Sequence, residues 1–284
     1  MNVRRIKDKM AGKAMLFMTI VSLFITVAIG MGLFMRSIPL LHSQPIINLI
    51  FSSEWKPFRG KFGFYPFIMG SIWVTGISLL IAFPLCLLTG IYLSEYAHWK
   101  VKKIIIPFVD LLSGIPPVIF GVWGVLFLIP LLHGYNVLAG GIVLAIMIFP
   151  LIISILLEVF GTVPLELRDA SLSLGATRWQ TVKFVLLKKA LPGIIAAVIL
   201  AFSRAIGETI AVLMVCGNRV MVPHSVFDQC YPLPALIANN YGEMLSVKLF
   251  DSALLFAAFL LFIILFIFNA VARIILERVE RKMA

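Results

Sequence analysis

The sequence predicts an all-α, polytopic membrane protein with six transmembrane helices. Three observations predict it. The 284 residues are 61% hydrophobic and only 13% charged, with a mean hydropathy of +1.06, whereas a soluble domain is about half apolar and about a quarter charged. Six apolar segments each approach the ~20 residues that cross a bilayer. Basic residues collect at alternate ends of those segments. The formal net charge of +11 raises nucleic acid as a partner. The charges sit beside apolar spans rather than along one polar face, which excludes that reading and fits the membrane rule.

The first span covers about 14–35 and follows the basic leader MNVRRIKDKMAGK. It is too long for the apolar core of a signal peptide and lacks a small-x-small cleavage site, so an uncleaved helix is expected. A polar, aromatic connector (36–65) leads to the second span, about 66–93, in which Pro84 is expected to kink the helix. HWKVKK (98–103) reads as a short basic loop. The third segment, about 104–132, is long for one span. Gly114-Ile115-Pro116-Pro117 interrupts it, either as a proline kink or as a full break, which lipid tolerates only where protein or water satisfies the freed backbone. A short turn at 133–136 precedes the fourth span, about 137–158. The fifth runs from about 192 to 216. A polar connector (217–250) precedes the sixth, about 252–275.

Orientation follows from the basic residues. Seventeen lie at the N-terminus, in 98–103, in 161–190 and at the C-terminal end. Six lie in the intervening segments (Arg36, Lys56, Arg59, Lys61, Arg219, Lys248), and Arg204 lies inside a span. This places both termini and the 161–190 stretch in the cytoplasm. No clear internal repeat marks the two similar halves of a secondary transporter. Cys216 and Cys230 flank a polar segment that allows a bridge, although three unpaired thiols are the simpler expectation.

The stretch 161–190 is a polar island in this apolar chain. Pro164 suits a first helical turn, and Glu166 and Asp169 complement its dipole. Gly175 suits a helix stop. Thr177 and Gln180 match a capping box, and a second helix would carry Trp179, Val182, Val185 and Leu186 on one face. The result is a helix–turn–helix elbow, either an interfacial hairpin or a docking surface for another protein.

Asp169-Ala170-Ser171-x3-Gly175 resembles the cytoplasmic coupling motif of ABC importer permeases, whose common form is Glu-Ala-Ala-x3-Gly-x9-Ile-x-Leu-Pro. Here Asp169 stands for Glu, Ser171 for the second Ala and Val185 for Ile, and Leu187-Lys188 stands where Leu-Pro is expected. Trp55-Lys56-Pro57, Leu93-Ser94-Glu95-Tyr96-Ala97, Gly114 to Gly124 and Arg204-Ala205-Ile206-Gly207-Glu208-Thr209 resemble the phosphate importer permeases, the PstC-like subfamily more than the paralogous PstA-like one. The resemblance implies the type I ABC importer permease fold. It also implies a heterodimer with a paralogous permease subunit, a cytoplasmic ATPase dimer that binds ATP and Mg, and an extracytoplasmic phosphate-binding protein. Glu166, Asp169, Ala170, Ser171, Gly175, Arg178 and Trp179 would then couple to the ATPase.

A charge inside a span is a functional hypothesis by default. Arg204 and Glu208, four residues apart, would share a helical face. Arg204 matches phosphate oxygens in a fork geometry. Glu208 would hold Arg204 when the path is empty, or accept a hydrogen bond from a protonated phosphate oxygen. The bland reading is a structural ion pair. The resemblance supports both residues as functional. Thr75, Ser78 and Ser113 could line the same path, although hydroxyls also bond back to their own helix. Asp110 is expected at the cytoplasmic end of the third span, and Asn218 and Arg219 near the binding protein.

The four histidines show no metal spacing, and no Gly-rich Lys-Ser/Thr loop is present, so no cofactor is expected and ATP hydrolysis needs a partner. The expected function is an inorganic-phosphate permease subunit, not an enzyme, in a bacterial cytoplasmic membrane. The rivals are a molybdate or sulfate permease, a secondary anion transporter and a membrane-embedded enzyme.

Overall fold

The structure, a computed structural model, describes residues 3–243, 247 and 249–283. Lys248 and the side chains of Arg4, Arg5 and Lys282, which enter the charge count, lie outside the described residues. The chain is all-α apart from a two-rung hairpin that pairs β1 (Trp55–Lys56) with β2 (Lys61–Phe62). Its helices are α1 (Val3–Ser43), α2 (Ile46–Phe51), α3 (Tyr65–Ile91), α4 (Trp99–Ser113), α5 (Pro117–Trp123), α6 (Ile129–Leu131), α7 (Val137–Gly161), α8 (Leu165–Ser173), α9 (Arg178–Thr181), α10 (Leu187–Ile206), α11 (Ile210–Val215), α12 (Leu233–Asn240) and α13 (Phe250–Met283). Five stretches are long and apolar enough to cross a membrane unbroken. A sixth is counted when α4 and the α5–α6 run are taken together.

The centre of the molecule is the pair α3 and α7. Small residues bring their backbones close. A Cβ at Gly140 would lie 3.2 Å from Val74 Cγ1, and one at Gly141 would overlap Ile77 Cγ2. Further along the pair, a Cβ at Gly90 would sit 3.2 Å from Leu156 Cβ. Such small-residue seams drive helix association in lipid, where no hydrophobic gain separates protein from tails. Gly141→Ala is therefore expected to destabilise the fold by about 1–3 kcal/mol through overpacking. A lowered Tm of the detergent-solubilised protein checks this, and an unchanged Tm would mean that α3 recedes freely.

The third span is broken rather than kinked. α4 and the α5–α6 run meet at 95°. Pro116 and Pro117 lack N–H groups, and a proline pushes its predecessor out of helical geometry. α4 therefore stops at Ser113, and α5 restarts with Pro117 at its first position. HWKVKK is not a loop. His98 caps α4, accepting from the Lys100 amide, and the three lysines occupy its first turns. Pro84 lies inside α3 without ending it.

The fifth span also differs from expectation. The second elbow helix does not stop before Pro192. α9, a π-helical turn over Val182–Leu186 and α10 form one stretch, Arg178–Ile206. It ends at Ile206, ten residues before Cys216, with Gly207 as its cap, and a short α11 follows. The second halves of both interrupted spans pack together: a Cβ at Gly121 in α5 would lie 3.2 Å from the Ala211 Cα in α11. The approach is this close because Gly121 presents no side chain to Ala211 and Met214.

Away from the elbow, a second core forms around Trp55, whose ring stands edge-on to Phe62, Phe64 and Phe67 at centroid distances of 5.5, 5.4 and 5.0 Å. Leu40, Leu49, Leu233, Leu236 and Phe256 complete it. Beside it, Lys61 donates to Glu54 at 2.7 Å and, with Lys56, holds that exposed carboxyl below its usual pKa. Cys216 and Cys230 are adjacent, buried and free, as is Cys86. α1 packs on α13 through Gly30 against Phe262 and Phe34 against Phe259, and most of its length is exposed.

Candidate functional site: a coupling elbow and an interrupted charged span

The elbow follows from local sequence. Pro164 stands as the N-cap of α8, one position earlier than a first helical residue. α8 ends in a Schellman motif: the Ala176 amide donates to Ser171 O at 3.2 Å and the Gly175 amide to Leu172 O at 2.9 Å. Gly175 adopts φ +84°, a left-handed geometry that glycine takes at little cost. The capping box then starts α9. The Gln180 amide donates to Thr177 Oγ1 at 3.2 Å, and the Thr177 amide donates to Gln180 Oε1 at 2.8 Å. Thr177→Ala is expected to cost about 1 kcal/mol locally. Amide exchange at 177–180 should accelerate about fivefold, and unchanged exchange would make the box dispensable.

The elbow presents a mixed surface. Glu166, Asp169, Ala170, Gly175, Arg178 and Trp179 are exposed and Ser171 is half-buried. Ser171 and Thr181 hydroxyls meet at 3.0 Å and lock α8 to α9. Trp179, expected from period to share a face with Val182, Val185 and Leu186, does not. Val182 and Leu186 are buried, while Trp179 is 52% exposed and Leu174 90% exposed. Leu165, Leu167, Leu172, Leu174, Trp179 and Phe184 are all exposed within this short polar stretch.

Arg204 and Glu208 do not share a helix. Arg204 occupies the last turn of α10, exposed, where its charge suits the negative end of the dipole. Gly207 ends that helix. Glu208 turns forward and accepts from the Ile210 and Ala211 amides at 3.2 and 3.4 Å, satisfying the start of α11. The expected pair is absent, and among the described residues Arg204 makes no ion pair. Ser203 donates to Asn269 Oδ1 at 3.2 Å, and Phe202 stacks on Phe268, so this last turn is held against α13.

The hydroxyl candidates are not gathered around Arg204. Thr75 and Ser78 are buried in α3, with Ser78 donating to the Thr75 carbonyl at 2.8 Å. Ser113 is exposed at the end of α4. Asp110 lines an open cleft with Pro107, Gly114, Ile115 and Pro116 at the helix break rather than at the start of the span. Asn218 donates back to Leu213 O at 2.9 Å, and its buried Oδ1 has no partner. Asp228 accepts from the His224 and Ser225 amides, both at 2.8 Å, which lowers its carboxyl pKa and shapes the outer connector. No group of three or more metal-ligating side chains occurs among the described residues. Sequence reasoning missed Glu95 and Arg168, which form an ion pair at 3.0 Å beneath the elbow.

Residues 86–284 match the family described as "Binding-protein-dependent transport system inner membrane component". A Bacillus subtilis protein described as a probable ABC transporter permease protein, YqgH, is 38% identical over 82% of this chain and 78% of its own length. The phosphate transport system permease protein PstC of Xylella fastidiosa is 34% identical over 83% and 80%. The probable PstC of Methanocaldococcus jannaschii is 34% identical over 82% of each chain. Among solved structures, a bacterial alginate ABC transporter chain aligns with a TM-score of 0.67 at 17% identity over 95% of this chain and 94% of its own. A chain of the MetNI methionine ABC transporter in an inward-facing conformation aligns with a TM-score of 0.60 at 22% identity over 76% and 94%.

Proposed function

This chain belongs to the binding-protein-dependent transport system inner membrane component family, as a multi-pass inner-membrane permease subunit of an ABC-type importer, and we propose that its cargo is inorganic phosphate. It has the type I ABC-importer permease fold and is a transport pore subunit, not an enzyme. Family membership implies partner ATPase and binding-protein subunits. The finer assembly is part of the proposal: a paralogous permease completes a heterodimeric pore, an ATPase dimer docks on α8–α9 in the cytoplasm, and a phosphate-binding protein delivers cargo to the opposite side.

The observation that carries the cargo assignment is the Arg204 guanidinium, without an ion-pair partner among the described residues, at a break in an otherwise apolar span. Glu208 is committed to the α11 amides, so Arg204 is left to an anion. Arginine keeps its charge at physiological pH and forks onto tetrahedral oxyanions. The site is one cation on an open surface rather than an enclosed cage, and a pore must release what it binds. Relatives described as phosphate permeases align over more than four fifths of the chain. Glu208 acts here by shaping the break. Thr75 and Ser113 enter the path only in the assembled pore. Glu166, Asp169, Ala170, Ser171, Gly175, Arg178 and Trp179 form the coupling surface, whose two nucleotide-dependent positions would gate the spans.

The test is reconstitution of the complete complex with its binding protein in proteoliposomes. Phosphate should enter in an ATP-dependent, vanadate-sensitive way, with sulfate and molybdate excluded. Uptake of either competitor at the rate of phosphate overturns the cargo. Vanadate-insensitive uptake would instead favour a secondary transporter.

A further inference from the structure

We infer that Arg168 and Glu95 form a pin that converts movement of α8 into movement of α3 and α7, an inference that rests on the elbow being the ATPase docking surface. α8 is a force-transmitting element with no buried residue of its own. Its packing goes to α9 and to the π-helical turn behind it. A helix without a buried apolar residue needs polar grips: Ser171 ties α8 to the Arg178–Ile206 stretch through Thr181, and Arg168 ties it to α3 and α7. Arg168 Nη1 meets Glu95 Oε1 at 3.0 Å, in the π-helical turn Tyr92–Tyr96 that extends α3. Arg168 Nη2 donates to the Phe160 carbonyl at 2.6 Å, in the last turn of α7. One guanidinium on α8 thus joins the ends of α3 and α7.

The joint is built for rigidity. The two side chains are 15% and 14% exposed, so solvent screens them little. Ser94 Oγ donates to the same Glu95 oxygen at 2.9 Å, and Lys102 Nζ donates to the Ser94 carbonyl at 3.1 Å, bringing in α4. The Phe160 carbonyl is at the negative end of the α7 dipole, which favours a cation there. Arg168 Nε is buried without a partner, a cost that a helix held by packing alone would not carry. Arginine's planar fork can serve two acceptors in fixed directions; a lysine ammonium cannot reproduce both. α3 and α7 are the central pair of the fold, so displacing this joint displaces the core of the pore.

Arg168 and Glu95 are positioning residues and touch no cargo. The test uses the complete reconstituted complex with Arg168→Lys, Glu95→Gln and the double variant Glu95→Gln/Arg168→Gln, and it reads two quantities. ATPase co-purification reports on the docking reading. Phosphate imported per ATP hydrolysed reports on the pin. The expected result is ATPase retention within about twofold, a loss of at least tenfold in phosphate per ATP for each single variant, and no further loss in the double, because both residues act as one unit. Glu95→Gln is isosteric and still accepts a hydrogen bond, so it guards against misfolding of the arginine variant. An unchanged ratio in assembled single variants overturns the pin, as do losses that multiply in the double. Loss of the ATPase, or failure of both singles to assemble, also overturns it and assigns the pair to docking or to folding.

Discussion

Arg204→Gln is expected to reduce phosphate uptake by about 100-fold while leaving the complex assembled. A hydrogen bond to a charged group contributes about 1.5–3 kcal/mol, and about 2.7 kcal/mol in a barrier is a hundredfold in rate. Glutamine keeps the polar end but loses both the charge and the fork. Assembly should survive because Arg204 is exposed and makes no ion pair among the described residues, and because the last turn of α10 is held independently by Ser203–Asn269 and Phe202–Phe268. Radiolabelled phosphate uptake in proteoliposomes, with subunit stoichiometry checked on the same preparation, measures it. Near-normal uptake would remove Arg204 from the path.

The second large effect is expected at the elbow. Trp179→Ala combined with Leu174→Ala should release the ATPase from the purified complex. Each is a large apolar side chain standing in solvent within a polar stretch. Tryptophan anchors commonly contribute at least about 2 kcal/mol to an interface, which alone is about a thirtyfold change in affinity. The capping box and the Schellman turn involve neither side chain, so the elbow should keep its shape. Retention of stoichiometric ATPase by this double variant would assign these side chains to the membrane surface instead.

Much of the elbow was legible because its signals are local. Thr177, Gln180 and Gly175 act within a few residues of themselves, and their backbone chemistry leaves little choice. Apolar segments were legible for the same reason. Helix ends were not, because hydropathy marks where lipid begins rather than where hydrogen bonding stops. α10 is therefore continuous with α9 through the polar Lys183, Lys188 and Lys189, and Pro192 lies inside it. The pairing of Arg204 with Glu208 assumed an unbroken helix, and Gly207 was the overlooked warning. The tie between Arg168 and Glu95 joins residues far apart in sequence, so no spacing rule could find it. The broken third span lay between: the double proline marked the place, and the 95° turn required the fold around it.

The pairing of α1 with α13 has a consequence for biogenesis. Of the two, α1 is made before α13. Roughly 200 residues separate them, which at typical synthesis rates is on the order of 10–40 s. Throughout that interval the Gly30–Phe34 face of α1 lacks its partner on α13. Its sequence is suited to waiting. The Thr19 and Thr26 hydroxyls donate to the Met15 and Ser22 carbonyls of their own helix, leaving neither donor unsatisfied in hydrocarbon. Gly30 stays open as a berth, and Phe262 fills it only when α13 enters the membrane. The order of translation thus makes α13 the later half of that contact, synthesised after α3 and α7.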